Sequence, residues 1–103
     1  MPNLRVKIVR FVDEEPQPGI VESQFRDDEG QVHSIIDKVP YFINAVLWSD
    51  SEYPQPGDIR CRVLERIHRI SGDFARITIA EPDYIEATDG KSEFVVNEAD
   101  LFD

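Results

Sequence analysis

The chain has 103 residues, 21 of them acidic and 11 basic, which gives a formal net charge of −10. This length fits one domain spanning residues 1–103, and the 41% of hydrophobic residues can form one core, so intrinsic disorder is not expected. The single cysteine, Cys61, excludes an internal disulfide framework, and no membrane-spanning segment or secretory signal is readable, so we expect a cytoplasmic protein.

Strand patterns dominate the first half of the chain. Leu4–Val12 begins with alternating apolar and charged residues and continues as an apolar run, and the proline-rich segment 13–19 predicts a loop. Ile20–Arg26 and Gln31–Val39 predict two strands joined by a hairpin turn at residues 27–30. The sequence therefore predicts antiparallel pairing early in the chain.

The middle of the chain is less uniform. Tyr41–Trp48 is mainly apolar, and its period fits either a buried strand or a short helix, whereas Ser49–Asp58 predicts a loop. Ile59–Ile67 and Phe74–Glu81 predict two strands on either side of a turn at residues 71–73.

The C-terminal segment completes the pattern. Tyr84–Thr88 and Glu93–Val96 predict a last hairpin with a turn at residues 89–90, and Asn97 is a candidate cap for one short helical turn. About six to seven strands with at most one helical turn predict an all-β fold, which we interpret as a small closed or nearly closed antiparallel barrel. Closure would remove the unpaired sheet edges that such strands otherwise expose.

One four-residue motif occurs twice. The sequence Pro-Gln-Pro-Gly stands at residues 16–19 and again at residues 54–57, and each copy precedes an alternating strand, a glycine-containing turn and a return strand. This spacing suggests two pseudo-repeated hairpin units packed against each other. The alternative is a chance match, because Pro-Gly turns are common.

The charge distribution singles out one basic region in an acidic chain. The acidic total disfavours nucleic acids and anionic membranes as partners and favours a basic protein. Residues 59–76 nevertheless carry five arginines against two acids, and four of these arginines form the arginine stripe: Arg60, Arg62, Arg66 and Arg69. We consider three interpretations of the arginine stripe, in order of preference. Its side chains pair with the protein's own acidic residues, they dock a carboxylate-bearing partner protein, or they bind single-stranded nucleic acid.

Aromatic residues bracket the central loop. Tyr41, Phe42, Trp48 and Tyr53 lie on either side of it. Tryptophan and tyrosine near a proline-rich loop can anchor a partner protein, and such residues also plug the ends of barrels. We expect Trp48 inside the fold and Tyr53 at the rim, and we include both among the candidate partner-binding residues.

Residues suited to catalysis are few. Cys61 could form a thiolate–imidazolium pair with His33 or His68, but it shares strand parity with Ile59 and Val63, which places it on the inward face. Neither histidine lies in a recognisable motif, and their spacing does not indicate a metal site. We therefore predict no catalytic residue, metal or cofactor, and keep an enzyme using Cys61 and His33 as an alternative.

Five segments carry a resemblance to known proteins: Pro18–Glu22, Asp37–Pro40, Tyr53–Arg66, Glu86–Gly90 and Glu93–Val96. They resemble segments of a group of small uncharacterised bacterial all-β proteins. The similarity spans nearly the whole chain, but the group suggests no activity. A weaker similarity, over residues 53–97, relates the Pro-Gly-Asp start of one strand and a later Gly-x-x-x-Phe-Val-Val strand to the β-barrel domains of elongation factor Tu and its relatives. That similarity implies a docking scaffold.

These observations together predict a non-catalytic acidic binding module that docks on a partner protein. A specific version is an immunity-type protein that inhibits a basic toxin through charge complementarity. The alternatives are a single-stranded nucleic-acid binder that uses the arginine stripe and an enzyme of unknown type.

Overall fold

The computed structural model describes residues 1–103 and confirms an all-β fold with antiparallel sheets. Two 3₁₀ turns, Val39–Tyr41 and Glu98–Asp100, are the only helical elements, and neither approaches the length that crossing a bilayer requires. The eight strands are β1 (Asn3–Asp13), β2 (Ile20–Arg26), β3 (Val32–Lys38), β4 (Gln55–Arg60), β5 (Arg62–Arg69), β6 (Gly72–Thr78), β7 (Glu93–Asn97) and β8 (Leu101–Phe102).

The strands form two antiparallel sheets. The first has the order β3-β2-β1-β4, and the two-residue strand β8 pairs with the start of β1, where Asn3 lies opposite Phe102. The second has the order β5-β6-β7. Neither sheet closes on itself, so the predicted closed barrel is not confirmed. Two loop amides bridge the sheet edges, from Asp28 to the Val95 carbonyl and from Thr88 to the Ser34 carbonyl, each at 2.9 Å.

The core lies between the two sheets and follows from strand alternation. In β1, for example, Leu4, Val6 and Ile8 are buried, whereas Arg5 and Lys7 between them are exposed. Eighteen buried residues from both sheets and the connecting segments form one continuous hydrophobic cluster.

The sequence predicted one continuous strand over Ile59–Ile67, and this is wrong because the strand is interrupted at Cys61. The residues on either side of Cys61 are in strands. Cys61 has no strand pairing and separates β4 in the first sheet from β5 in the second. Its backbone amide donates to the Pro2 carbonyl at 3.0 Å, and its side chain is fully buried. The chain passes from the first sheet to the second at Cys61. The alternation of apolar and polar residues continues across this point, so the sequence pattern does not reveal the change of sheet.

Two further segments differ from the predicted strands. Apart from Tyr41, which ends a 3₁₀ turn, Tyr41–Trp48 is irregular and buries Phe42 and Leu47. Tyr84–Thr88 is also irregular: side chains such as Ile85 are alternately buried, but the backbone amides make isolated hydrogen bonds to separate segments instead of a ladder. The predicted hairpin with β7 is therefore absent.

The predicted repeat has a mixed outcome. Both hairpins are present, β2–β3 in the first sheet and β5–β6 in the second. The Pro-Gln-Pro-Gly copies that precede them differ, because Gly19 ends a turn with a φ of 113°, whereas residues 55–57 lie within β4 and pair with β1. The two copies are thus not structurally equivalent.

Candidate functional site

The arginine stripe is paired with the protein's own carboxylates. Asp83 accepts two hydrogen bonds from Arg60, at 2.6 and 3.1 Å, and this contact raises the pKa of the Arg60 guanidinium. Each of the other three arginines of the stripe also forms an ion pair with a carboxylate of the same chain, so every cation of the stripe is neutralised. Their pairs are Arg62 with Glu81 at 3.0 Å, Arg66 with Glu98, and Arg69 with Asp28 at 2.8 Å.

These arginines connect loops to strands and do not form one binding face. Arg60 and Arg62 lie on opposite sides of the sheet change, and both reach the segment after β6. Arg66 reaches the 3₁₀ turn after β7, and Arg69 reaches the turn between β2 and β3, while its guanidinium lies 4.7 Å from the centre of the Phe74 ring. The stripe therefore serves intramolecular neutralisation, the first of the three interpretations of its sequence.

The structure does not bring Cys61 together with a histidine. The Cys61 thiol is buried against the Pro2 carbonyl, with Sγ 3.7 Å from that oxygen, and desolvation by burial raises the pKa of the thiol to about 11. A thiol with this pKa is almost wholly protonated at neutral pH and is a poor nucleophile. His68 lies at the surface, 2.8 Å from Asp73, and this hydrogen bond raises the pKa of its imidazole.

His33 belongs to a buried structural cluster. Its Nε2 lies 2.8 Å from the Asp27 carboxylate, and its ring stacks at a tilt on Phe25 and Phe94. Asp27 also accepts backbone hydrogen bonds from Glu29 and Gln31 across the β2–β3 turn. Burial acts to raise the pKa of Asp27, but the hydrogen bonds from His33 and these two amides outweigh it and lower that pKa.

The prediction that Trp48 lies inside the fold is wrong, and Tyr53, expected at the rim, is the more buried of the two residues. The Trp48 side chain lies at the surface, with the residue 64% exposed, whereas Tyr53 is half-buried and packs against the core. Burial raises the pKa of the Tyr53 phenol, and the neighbouring Asp50 carboxylate raises it further. The expectation failed because the buried aliphatic Leu47, the residue before Trp48, takes the inward position and turns the next side chain outward.

The backbone of Trp48 is fixed by its own loop, which we call the docking loop, residues 42–54. The Trp48 amide donates to the Ser51 hydroxyl at 2.9 Å. The Trp48 carbonyl accepts from the Ser51 amide at 3.2 Å and from the Tyr53 hydroxyl at 2.7 Å. An exposed indole on a backbone held by three hydrogen bonds is well placed for contact, because little backbone freedom is lost when a partner covers it.

The base of the docking loop is packed closely against the first sheet. The Asp58 amide in β4 donates to the Phe42 carbonyl at 2.9 Å, and a Cβ atom added at Gly57 would lie 2.9 Å from that oxygen. A depression of about 300 Å³ lies beside this base, and Arg5 and Phe102 are among the residues that line it. The loop carries Asp50 and Glu52 and no basic residue, so its field is negative.

Comparison of the chain with protein-family models, with curated proteins and with solved structures finds no match. The described residues also contain no group of three or more His, Cys, Asp or Glu side chains arranged to hold a metal ion. The candidate site consequently rests on geometry alone. The surface that combines an exposed aromatic anchor, a fixed backbone and uniform charge is the docking loop.

Proposed function

We propose that the protein is a non-catalytic acidic binding module that docks on a basic partner protein through the docking loop. The observation that carries this proposal is the exposure of Trp48 on a backbone held by Ser51 and Tyr53. Tryptophan is enriched among the residues that dominate protein–protein binding energies. Val46, which is 68% exposed, extends the apolar part of the same loop.

Charge supports the same kind of partner. The docking loop contributes Asp50 and Glu52 to a protein whose net charge is −10, and the arginine stripe offers no compensating free cation. A basic partner would be steered toward this surface, and steering of this kind weakens as salt rises. An immunity-type inhibitor of a basic toxin is the specific version of this proposal.

Affinity capture with matched variants tests the proposal. Trp48→Ala removes the anchor, whereas Tyr84→Ala removes an even more exposed aromatic residue, 91% exposed, from a different segment. We expect a basic protein that is retained by the wild type and by Tyr84→Ala and is lost with Trp48→Ala. With that protein purified, Trp48→Ala should weaken binding about 30-fold or more, as for a typical hot-spot tryptophan.

Salt and charge variants provide a second test. The double variant Asp50→Asn and Glu52→Gln should bind the purified partner with a shallower dependence on ionic strength than the wild type. The proposal fails if no captured protein distinguishes Trp48→Ala from Tyr84→Ala, or if the protein that does so is acidic.

A further inference from the structure

The outer edge of β5 is the open edge of the fold. Apart from the two-residue β8, each of the other outer strands (β3, β4 and β7) has one backbone hydrogen bond to a segment outside its sheet, whereas no such bond reaches residues 62–71. An open strand edge is a template for pairing with another strand. The three bonds at the other edges run from Thr88 to Ser34, from Asp58 to Phe42, and from Asp28 to Val95.

The register with β6 determines which backbone groups of β5 face outward. Arg69 pairs with Gly72 across a two-residue turn, so this pair must share its hydrogen bonds directly. Hydrogen-bonded and non-hydrogen-bonded pairs then alternate along the regular ladder from residue 69 back to residue 65. The amide and carbonyl groups of Arg66 and His68 consequently point away from β6, toward an empty position.

We propose that β5 pairs antiparallel with β5 of a second copy of this chain, with Ile67 opposite Ile67. A two-fold axis perpendicular to the sheet keeps equivalent side chains of the two copies on the same face. Because successive side chains point to opposite faces, an odd-numbered residue must lie opposite an odd-numbered one and an even-numbered residue opposite an even-numbered one. In this register Glu65 lies opposite Arg69 of the second copy, and the reverse pair forms on the other side of the axis. Arg66 and His68 then bond to each other's outward backbone groups.

The neighbouring registers are less favourable. A shift of the axis to residue 68 places His68 opposite His68 and loses both the Glu65–Arg69 and the Ile67–Ile67 pairs. A shift of the axis to residue 66 places Arg66 opposite Arg66, and a shift to residue 65 places Glu65 opposite Glu65. Like charges directly opposite each other destabilise a sheet, whereas opposite charges and β-branched pairs stabilise it. The proposed register is thus selected by the order of side chains from Glu65 to Arg69.

Side-chain exposure along β5 agrees with the proposed register. Ile70 at the turn is fully exposed, and pairing would bring it opposite the half-buried Leu64 of the second copy. The nearest cation to Glu65 in its own chain is Arg76 at 3.5 Å, so this exposed carboxylate can accept a closer partner. Repulsion between two molecules of net charge −10 is screened within about 8 Å at physiological salt. This inference does not depend on the docking loop.

Sedimentation velocity in 0.15 M salt, over a concentration series, tests the association. We expect the mass to rise from 11.9 kDa toward twice that value. His68→Pro removes an outward amide without removing a bond to β6, and it should keep the protein monomeric. His68→Ala retains the amide and should still dimerise. Glu65→Arg, which places like charges opposite each other, should also be monomeric. Monomeric wild type at every concentration would refute the proposal.

Cross-linking tests the register. Two Ile67→Cys side chains would face each other in a non-hydrogen-bonded pair, whose Cα atoms lie about 4.5 Å apart, within the range of a disulfide. Mild oxidation should therefore link Ile67→Cys into a covalent dimer. Arg66→Cys, which faces His68 in this register, should link far less, and the buried Cys61 should not react. Equal cross-linking at positions 66 and 67 would exclude the register.

Discussion

Replacing Ser23 with alanine should stabilise the protein. Ser23 lies in the middle of β2, fully buried, with Ile8 of β1 and Ile35 of β3 as its ladder neighbours. Its hydroxyl oxygen has no hydrogen-bond partner. A buried hydroxyl without a partner costs about 1–3 kcal/mol relative to water, because it has lost its solvent bonds and gained none.

The expected gain follows from two opposing effects. Ser23→Ala removes the unsatisfied hydroxyl and leaves a void of about 15 Å³, which costs about 0.4 kcal/mol at roughly 24 cal/mol per Å³. The net change in the free energy of unfolding should be an increase of about 1 kcal/mol. For a domain of this size, that increase corresponds to a melting temperature about 4–8 °C higher.

Urea unfolding monitored by circular dichroism measures this change. The midpoint should rise while the slope of free energy against urea stays constant, since the fold is unchanged. Ser34→Ala is the matched control, because the Ser34 hydroxyl is bonded to the Gln24 side chain, and its loss should lower stability. A Ser23→Ala protein with a lower midpoint than the wild type would refute the reasoning.

Three further predictions concern groups whose surroundings are described above. Cys61, whose thiol has a pKa of about 11, should resist alkylation at pH 8 in the folded protein and react fully in urea. A thiol assay with and without denaturant measures this difference. Rapid reaction without denaturant would contradict the burial of the thiol. Folding lowers the pKa of Asp27 from its ordinary value of 3.8 and that of Glu22 from 4.5. The ionised carboxylates therefore stabilise the fold fully at pH values above these ordinary pKa values. This stabilisation is lost as pH falls through the lower pKa values of the folded state. Asp27→Asn should therefore lower stability at pH 7 by about 2 kcal/mol and flatten the acid side of a stability–pH profile, and an unchanged profile would argue against this role. Gly57→Ala should destabilise the protein by about 1–3 kcal/mol in urea unfolding, because its Cβ would crowd the Phe42 carbonyl; a neutral effect would show that the base of the docking loop can shift.

The local parts of the fold were predictable from the sequence. Alternation located β1 and β2, and Asn97 caps the short turn after β7 as expected, with its side-chain oxygen accepting from the Ala99 amide at 3.0 Å. Both features depend on residues close together in the chain. The break at Cys61 was not predictable, because the same alternation of apolar residues serves two different sheets on either side of it.

The candidate site depended on long-range contacts. The sequence indicated that the arginines could pair internally, but it could not show that Arg60 meets Asp83, 23 residues away, or that Arg69 meets Asp28, 41 residues away. Trp48 was selected as a candidate anchor, which stays a prediction, and its expected position inside the fold was wrong, because its side chain lies at the surface. The sequence offers no signal that distinguishes Leu47 from Trp48 as the inward residue, because both are apolar and the segment has no regular period; the structure buries Leu47.

The pairing of β8 with β1 has a practical consequence for the binding experiments. Because Asn3 lies opposite Phe102, the two termini emerge side by side. Arg5 and Phe102 line the depression at the base of the docking loop, so an affinity tag or fusion partner attached at either terminus would stand beside the proposed contact surface. Capture experiments are therefore best done with both termini free and the protein immobilised through the exposed Lys91, which lies outside both β5 and the docking loop.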